Sequence, residues 1–124
     1  MRIALGVIVA TAFITCGAYA SADMSKTVPA LSTPAGSPAE AHNKEGIAHY
    51  NQGHWDVALT HFTEAAKADP QAAEVHYNVA LALDKLGKHK EATEHFHAAH
   101  DYGKGNASIQ ESDILKGHLH PAKQ

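Results

Sequence analysis

The chain has 124 residues, which is enough for one small domain, and its formal net charge is −3, with both signs of charge interspersed. A charge this small and mixed gives no indication of the strongly basic surface typical of nucleic-acid binding, so we expect no nucleic-acid partner. The unusual feature of the composition is its eleven histidines, which outnumber all lysines and arginines together.

The first 22 residues have the three parts of a secretory signal peptide. Met1-Arg2 supplies a positive charge, residues 3–14 form a short apolar run, and residues 17–22 contain two overlapping small-residue cleavage sites. The apolar run is too short for a membrane span. We therefore expect cleavage, export to the periplasm or out of the cell, and no membrane span in the exported protein.

The single cysteine, Cys16, lies inside this predicted leader. A lipoprotein would keep that cysteine as its lipidated first residue, but residues 13–15 match the usual small-residue lipobox poorly, so we expect no lipid anchor. The exported chain then has no thiol, which excludes disulfides and thiol catalysis. Because histidine titrates near neutral pH, protonation of all eleven would reverse the sign of the net charge.

Residues 23–37 are predicted to be a flexible linker, because they are rich in proline, serine and alanine and contain few large apolar side chains. At its end, Ser37 is predicted to cap a helix, with Pro38 at the first helical position and Glu40 completing a capping box. We expect a helical domain over residues 38–118 and a short tail over residues 119–124.

From residue 38 onward, the sequence predicts a series of helices separated by short breaks. Apolar residues recur at intervals of three and four, as on the buried face of an amphipathic helix, and no segment alternates with a period of two. We therefore predict an all-α fold. The predicted helices are residues 39–52, a second from Trp55 to the Asp69-Pro70 break, a third that ends at Gly87, a fourth over residues 90–102, and a short fifth from Ser108 to near Gly117.

Several residues recur 34 positions later in the chain. A helix–turn–helix period of 34 residues is the length of the tetratricopeptide repeat, and the chain resembles that family over residues 39–105. The Trp position of the family pattern is held here by His42 and His76. The recurring pairs are Gly53 and Gly87, Ala58 and Ala92, His61 and His95, Phe62 and Phe96, and Ala65 and Ala99.

The resemblance implies two antiparallel helical hairpins in a right-handed stack, with the short fifth helix as a cap. Small residues at recurring positions would let paired helices approach closely, while the recurring phenylalanines fill the space between hairpins. Two repeats are fewer than such stacks usually need. Either the fifth helix covers the open end or the protein self-associates as a homo-oligomer, and both alternatives stay open.

Members of this family generally bind a protein or peptide in a concave groove lined by the first helix of each hairpin. The resemblance therefore implies a non-catalytic interaction module. Asn43 and Asn51 are expected to hydrogen-bond an extended peptide backbone, whereas Ile47 and Leu81 have packing between the repeats as an alternative role. The groove residues that the resemblance implies are Asn43, Ile47, Tyr50, Asn51, Tyr77, Leu81, Asp84 and Lys85.

Histidines suggest metal binding as an alternative function. His49, His54 and His61 lie five and then seven residues apart, which is similar to the His-rich hairpins of small periplasmic metal-binding proteins. On one helix, His54 and His61 would be about 10 Å apart, too far to share an ion with bonds of about 2 Å. His54 would then need His49 across the turn, and His61 would need a ligand from another helix.

A second predicted metal cluster consists of His97 and His100, which lie three residues apart, with Glu94 and Asp101 flanking the same helix face. The ions expected at either cluster are copper, zinc or nickel. We predict no required cofactor. Three further histidines, His42, His76 and His89, are predicted to be partly buried packing residues.

Catalysis is not predicted. The sequence contains neither a nucleophile-elbow serine nor an H-E-x-x-H motif, and the exported chain has no cysteine. We therefore expect a protein that is not an enzyme.

Overall fold

The structure is a computed structural model that describes residues 27–121. The predicted signal peptide, the first residues of the predicted linker and the last three residues of the chain lie outside this range. Over the described residues the chain forms six helices and no strand, so the predicted all-α class is confirmed. The helices are α1 (Glu40–Asn51), α2 (Trp55–Ala68), α3 (Ala73–Lys85), α4 (His89–Tyr102), α5 (Ala107–Gln110) and α6 (Asp113–Leu119).

Neighbouring helices pack as two hairpins, α1 with α2 and α3 with α4, and the hairpins meet through α2 and α3. Each hairpin turns at a glycine with a left-handed backbone, Gly53 at φ 79° and Gly87 at φ 78°. Glycine takes this conformation without the steric cost that a Cβ would add. The two-hairpin prediction is confirmed, and both turns lie at the predicted glycines.

The interior is built from the predicted small and aromatic positions. Phe62 and Phe96 are fully buried, as are the alanines that recur beside them in α2 and α4. Helix α3 lies between α2 and α4 and is buried along most of its length. Small residues let its neighbours approach, so the two phenylalanines fill the interior instead of pointing into water.

The first helix begins at Glu40, one residue later than predicted. The Ser37 hydroxyl accepts a hydrogen bond from the backbone N–H of Ala39 at 3.2 Å, and the Glu40 carboxylate accepts one from Gly36 at 2.7 Å. The predicted capping box is therefore not formed, because Ala39 instead of Ser37 is the N-cap of α1 and no side chain caps the first turn.

The predicted fifth helix is divided into α5 and α6, because the chain offers two caps where one was expected at Ser108. The Asn106 side chain accepts a bond from the backbone of Ser108 at 3.0 Å, and the Ser112 hydroxyl accepts one from Leu115 at 3.4 Å. Ile109 and Leu115 are buried against the second hairpin. The two helices cover that hairpin, and α6 ends one residue beyond the predicted boundary at 118.

Among the helices of residues 27–121, none combines the length and the apolar character that crossing a bilayer requires.

Candidate functional site

The described part of the predicted linker lies along the helices. Its residues 27–33, here called the N-terminal segment, contact the groove between α1 and α3, with Val28 and Leu31 half-buried against the core. This differs from the expected flexible spacer. Composition alone missed the difference because the segment is held largely through its backbone, which no side-chain pattern records.

Two buried asparagines hold the main chain of Leu31. Its N–H donates to Asn78 Oδ1 at 2.7 Å, and its carbonyl accepts from Asn43 Nδ2 at 3.0 Å and from Asn78 Nδ2 at 2.7 Å. Asn78 Nδ2 also donates to Asn43 Oδ1 at 2.7 Å. An unpaired buried amide costs about 1–3 kcal/mol, so this pair, here called the asparagine clamp, depends on the Leu31 main chain for its hydrogen bonds.

Tyr50 adds a third contact to the N-terminal segment, because its hydroxyl donates to the Val28 carbonyl at 3.0 Å. Burial raises the pKa of Tyr50 to about 12, and the nearby Tyr77 and Asp84 act in the same direction. The hydroxyl therefore keeps its proton across the physiological range and remains a donor to a backbone carbonyl.

Unlike Asn43 and Tyr50, the other predicted groove residues make no hydrogen bond to the N-terminal segment in the described structure. Ile47 is half-buried against the core, while Tyr77 and Leu81 are almost completely buried. The Tyr77 hydroxyl lies 2.7 Å from Ser112 Oγ, so it ties α3 to the start of α6. The structure leaves Asn51 and Lys85 exposed and places Asp84, half-buried, among the histidines of the second hairpin.

Asn78 belongs to the clamp but was missed by the sequence analysis. The available signal was a single amide inside the otherwise apolar run of α3, where Asn78 is completely buried. A buried polar residue needs a partner, and that partner lies on other segments of the chain.

Beside the clamp, a cleft of about 460 Å³ separates the N-terminal segment from the C-terminal helices. It is open to solvent and shares its walls with the segment itself. Its lining includes Val28, Pro29, Leu31, Tyr77, Ser112 and Ile114.

Histidines gather on the first hairpin, on the side of α1 that the N-terminal segment does not cover. The ligand atoms of His42, Glu45 and His61 lie within 4.8 Å of one another, and His61 Nδ1 is 3.1 Å from Glu45 Oε2. The ring of His49 stacks on His61 at 5.3 Å between centroids, and His49 Nδ1 is 3.5 Å from His54 Nδ1. We call these five residues the α1–α2 histidine cluster.

A second cluster joins the turn between α3 and α4 to α6. Asp84 Oδ1 accepts from His89 Nδ1 at 2.7 Å and from His118 Nε2 at 3.1 Å. His118 Nδ1 lies 2.8 Å from the Thr93 hydroxyl, and its ring packs on Phe96. These contacts fasten α6 to the α3–α4 hairpin.

A third pair, His76 and His95, repeats the positions of His42 and His61. Their Nδ1 atoms are 3.1 Å apart, and His76 Nε2 donates to the Pro70 carbonyl at 2.7 Å. The pKa of His95 is lowered, first by burial and then by His76, against the opposing charges of Glu94 and Glu91. Only one of the two facing nitrogens can carry a hydrogen in this arrangement.

The cluster predicted on α4 is less compact. His100 Nδ1 lies 3.4 Å from Asp101 Oδ1, while Glu94 and His97 are exposed. Over residues 27–121, three potential ligand atoms come close together around His61 and around His118, and neither group contains a residue of the cluster predicted on α4. The packing role predicted for His42 and His89 is wrong, because both side chains are exposed; His76 is half-buried.

Comparison with known proteins gives two findings. A family model for the tetratricopeptide repeat matches residues 43–107, from within α1 to the start of α5. An uncharacterized protein of Methanocaldococcus jannaschii is 38% identical over 58 residues, which are 47% of this chain and 67% of that protein.

Proposed function

Because this chain belongs to the tetratricopeptide repeat family, we propose that it is a non-catalytic interaction module that binds an extended segment of a partner protein between α1 and α3. The signal-peptide pattern of residues 1–22 adds export to this proposal, so the module would act in the periplasm or outside the cell. The observation that carries the proposal is the asparagine clamp on the backbone of Leu31.

The clamp recognises a main-chain N–H and carbonyl of one residue, and Tyr50 recognises a carbonyl three residues earlier. Main-chain bonds supply affinity for an extended chain without fixing its sequence. Selectivity then comes from what surrounds the backbone. Leu31 is half-buried against the core, so a partner is expected to present an uncharged aliphatic side chain there.

The N-terminal segment is a competitor for this site. Its residues 28–33 have the sequence Val-Pro-Ala-Leu-Ser-Thr, which contains no charge. A tethered segment has an effective concentration on the order of millimolar, so a partner must bind more tightly than the segment or bind after its release. The partner chemistry that fits is therefore an extended, uncharged stretch with a leucine-like residue.

The test uses a fluorescent peptide with the sequence of residues 27–33 and the variant Leu31→Pro. Proline removes the N–H that donates to Asn78 Oδ1, so the variant's own segment should leave the groove. Peptide anisotropy should then show about tenfold tighter binding to the variant than to the unaltered chain, because the tethered competitor is gone.

Two further substitutions in the Leu31→Pro background locate the binding. Asn78→Ala should abolish peptide binding, whereas Gln52→Ala is the matched control, because that exposed amide at the end of α1 is neither part of the clamp nor a predicted groove residue. Circular dichroism checks that each variant keeps its helices. Equal loss in both variants, or no peptide binding to Leu31→Pro, would contradict groove binding.

A further inference from the structure

We propose that the first hairpin binds a divalent transition ion of the zinc and copper class through His42, Glu45 and His61. The site is independent of the proposed groove, because its two α1 ligands lie on a different side of that helix from Asn43 and Tyr50. Two imidazole nitrogens and a carboxylate oxygen form a donor set that both ions accept.

The distances are close to those that an ion requires. With bonds of about 2 Å, two ligand atoms on a tetrahedral ion lie about 3.3 Å apart. His61 Nδ1 and Glu45 Oε2 are already 3.1 Å apart, and all three ligand atoms lie within 4.8 Å. The Glu45 side chain is 63% exposed, so it is free to complete the closure by rotation.

The neighbouring side chains favour a cation at this position. His49 stacks on His61 with an interplanar angle of 5°, which places another imidazole beside the three ligands. Glu64 lies near enough to His42 for the two charges to interact, although Lys67 pairs with that carboxylate at 2.6 Å. A bound ion would take the place of the direct contact between His61 and Glu45.

The second repeat provides an internal comparison. His76 and His95 occupy the same repeat positions, but the position of Glu45 is held there by Val79, which is buried. His76 uses its two nitrogens on Pro70 and His95. At these repeat positions, the carboxylate and the exposed imidazole of the proposed site are therefore found in the first hairpin and not in the second.

The cluster at Asp84 is the alternative site and is less suited. Asp84 Oδ1 already accepts bonds from His89 and His118, and His118 is packed on Phe96. An ion there would have to break contacts that hold α6 in place. The ligands on the first hairpin do not hold α6 in place.

The test is calorimetric titration of the purified chain with ZnCl₂ and, separately, CuCl₂ at pH 7.5, followed by the same titrations of variants. We expect one ion to bind at this site with a dissociation constant of about 10 μM or tighter for at least one of the two metals. His42→Ala and His61→Ala should each weaken binding by about tenfold or more, as the loss of one of few ligands does.

The variant Glu45→Gln keeps the shape of the side chain and removes its charge, so it should weaken binding while circular dichroism stays unchanged. Three matched controls, His97→Ala, His100→Ala and His89→Ala, should leave the affinity within about twofold. Lower pH should release the ion, because the imidazoles must be neutral to bind it. Imidazole proton signals of His42 and His61 should broaden first on addition of Cu²⁺.

Any of three outcomes overturns the site. The first is no binding tighter than about millimolar for either ion. The second is binding that survives the double variant His42→Ala/His61→Ala. The third is binding lost in His89→Ala or His97→Ala but kept in His61→Ala. Peptide binding in the groove is measured separately, so failure here leaves the proposed function standing.

Discussion

At the scale of single residues, the pair His76 and His95 shows how burial changes a side chain's response to pH. His76 Nε2 donates to a carbonyl, so in the neutral ring its Nδ1 is an acceptor and His95 Nδ1 must donate to it. A second proton would place two hydrogens between atoms 3.1 Å apart. Burial and this contact together lower the pKa of His95 below its ordinary 6.5.

The lowered pKa predicts acid sensitivity. Below about pH 6.5 the unfolded chain binds a proton at His95 that the folded chain resists, so the free energy of unfolding falls as the pH falls through this window. We expect His95→Gln to show a smaller loss of stability between pH 7.5 and pH 5.5 than the unaltered chain, as measured by urea denaturation. Equal losses in both proteins would contradict this role and assign the acid response to the other histidines.

The burial of individual side chains also explains the asparagine clamp. Asn43 is 1% exposed and Asn78 is fully buried, and each amide has its partners on the other or on Leu31. Burying such groups is tolerable only when they are satisfied. The chemistry of the two asparagines therefore requires a main-chain N–H and carbonyl as the third partner, and Leu31 supplies both.

At the scale of elements, the close contact between α1 and α2 depends on one glycine. A Cβ built on Gly46 would lie 2.5 Å from Cδ1 and Cε1 of Phe62, and that ring is fully buried. The ring has little room to move, so any side chain at this position must push the helices apart. The small residue at this repeat position is therefore needed for packing rather than for backbone conformation.

Gly46→Ala is predicted to lower the free energy of unfolding by roughly 1–3 kcal/mol, the usual cost of overpacking a core. The control is Gly117→Ala in α6, where an added Cβ meets nothing within 4 Å. That change should stabilise the protein by up to about 1 kcal/mol, because alanine favours a helix over glycine. Urea denaturation measures both, and a neutral Gly46→Ala would show that the hairpin tolerates a wider separation.

At the scale of the whole molecule, the two hairpins share one core. Buried side chains form a continuous cluster from α1 to α6, and α2 packs directly on α3. The single tryptophan, Trp55, touches Tyr50 edge-on and lies under the ammonium group of Lys85, 5.5 Å from the ring centroid. It therefore reports on the first hairpin and on its contact with the second.

We predict that the chain unfolds in one transition. Each repeat buries its apolar face on its neighbour, so neither hairpin should be stable alone. In a urea titration, the midpoint from Trp55 fluorescence should coincide with the midpoint from far-ultraviolet circular dichroism, which follows all helices. An earlier fluorescence midpoint would show that the first hairpin unfolds separately from α3 and the C-terminal helices.

The helical class, the two hairpins, their glycine turns and the burial of Phe62 and Phe96 could be predicted from the sequence. These features follow from periodicity and local conformational preference, which are present in the order of residues along the chain. The exception is the C-terminal region, where two caps at Asn106 and Ser112 competed with the one expected at Ser108.

The candidate sites were only partly visible in the sequence. The sequence paired His49 with His54, and their Nδ1 atoms lie 3.5 Å apart, but Asn43, Tyr50 and His61 were identified without their partners. Residue 78 joins the clamp from another helix, and a carboxylate of α1 joins His61 of α2. Such meetings depend on how each helix is rotated about its axis and how far it is shifted along its neighbour. Those two quantities are set by core packing between segments that are distant in the chain, so the order of residues does not reveal them and the folded structure does.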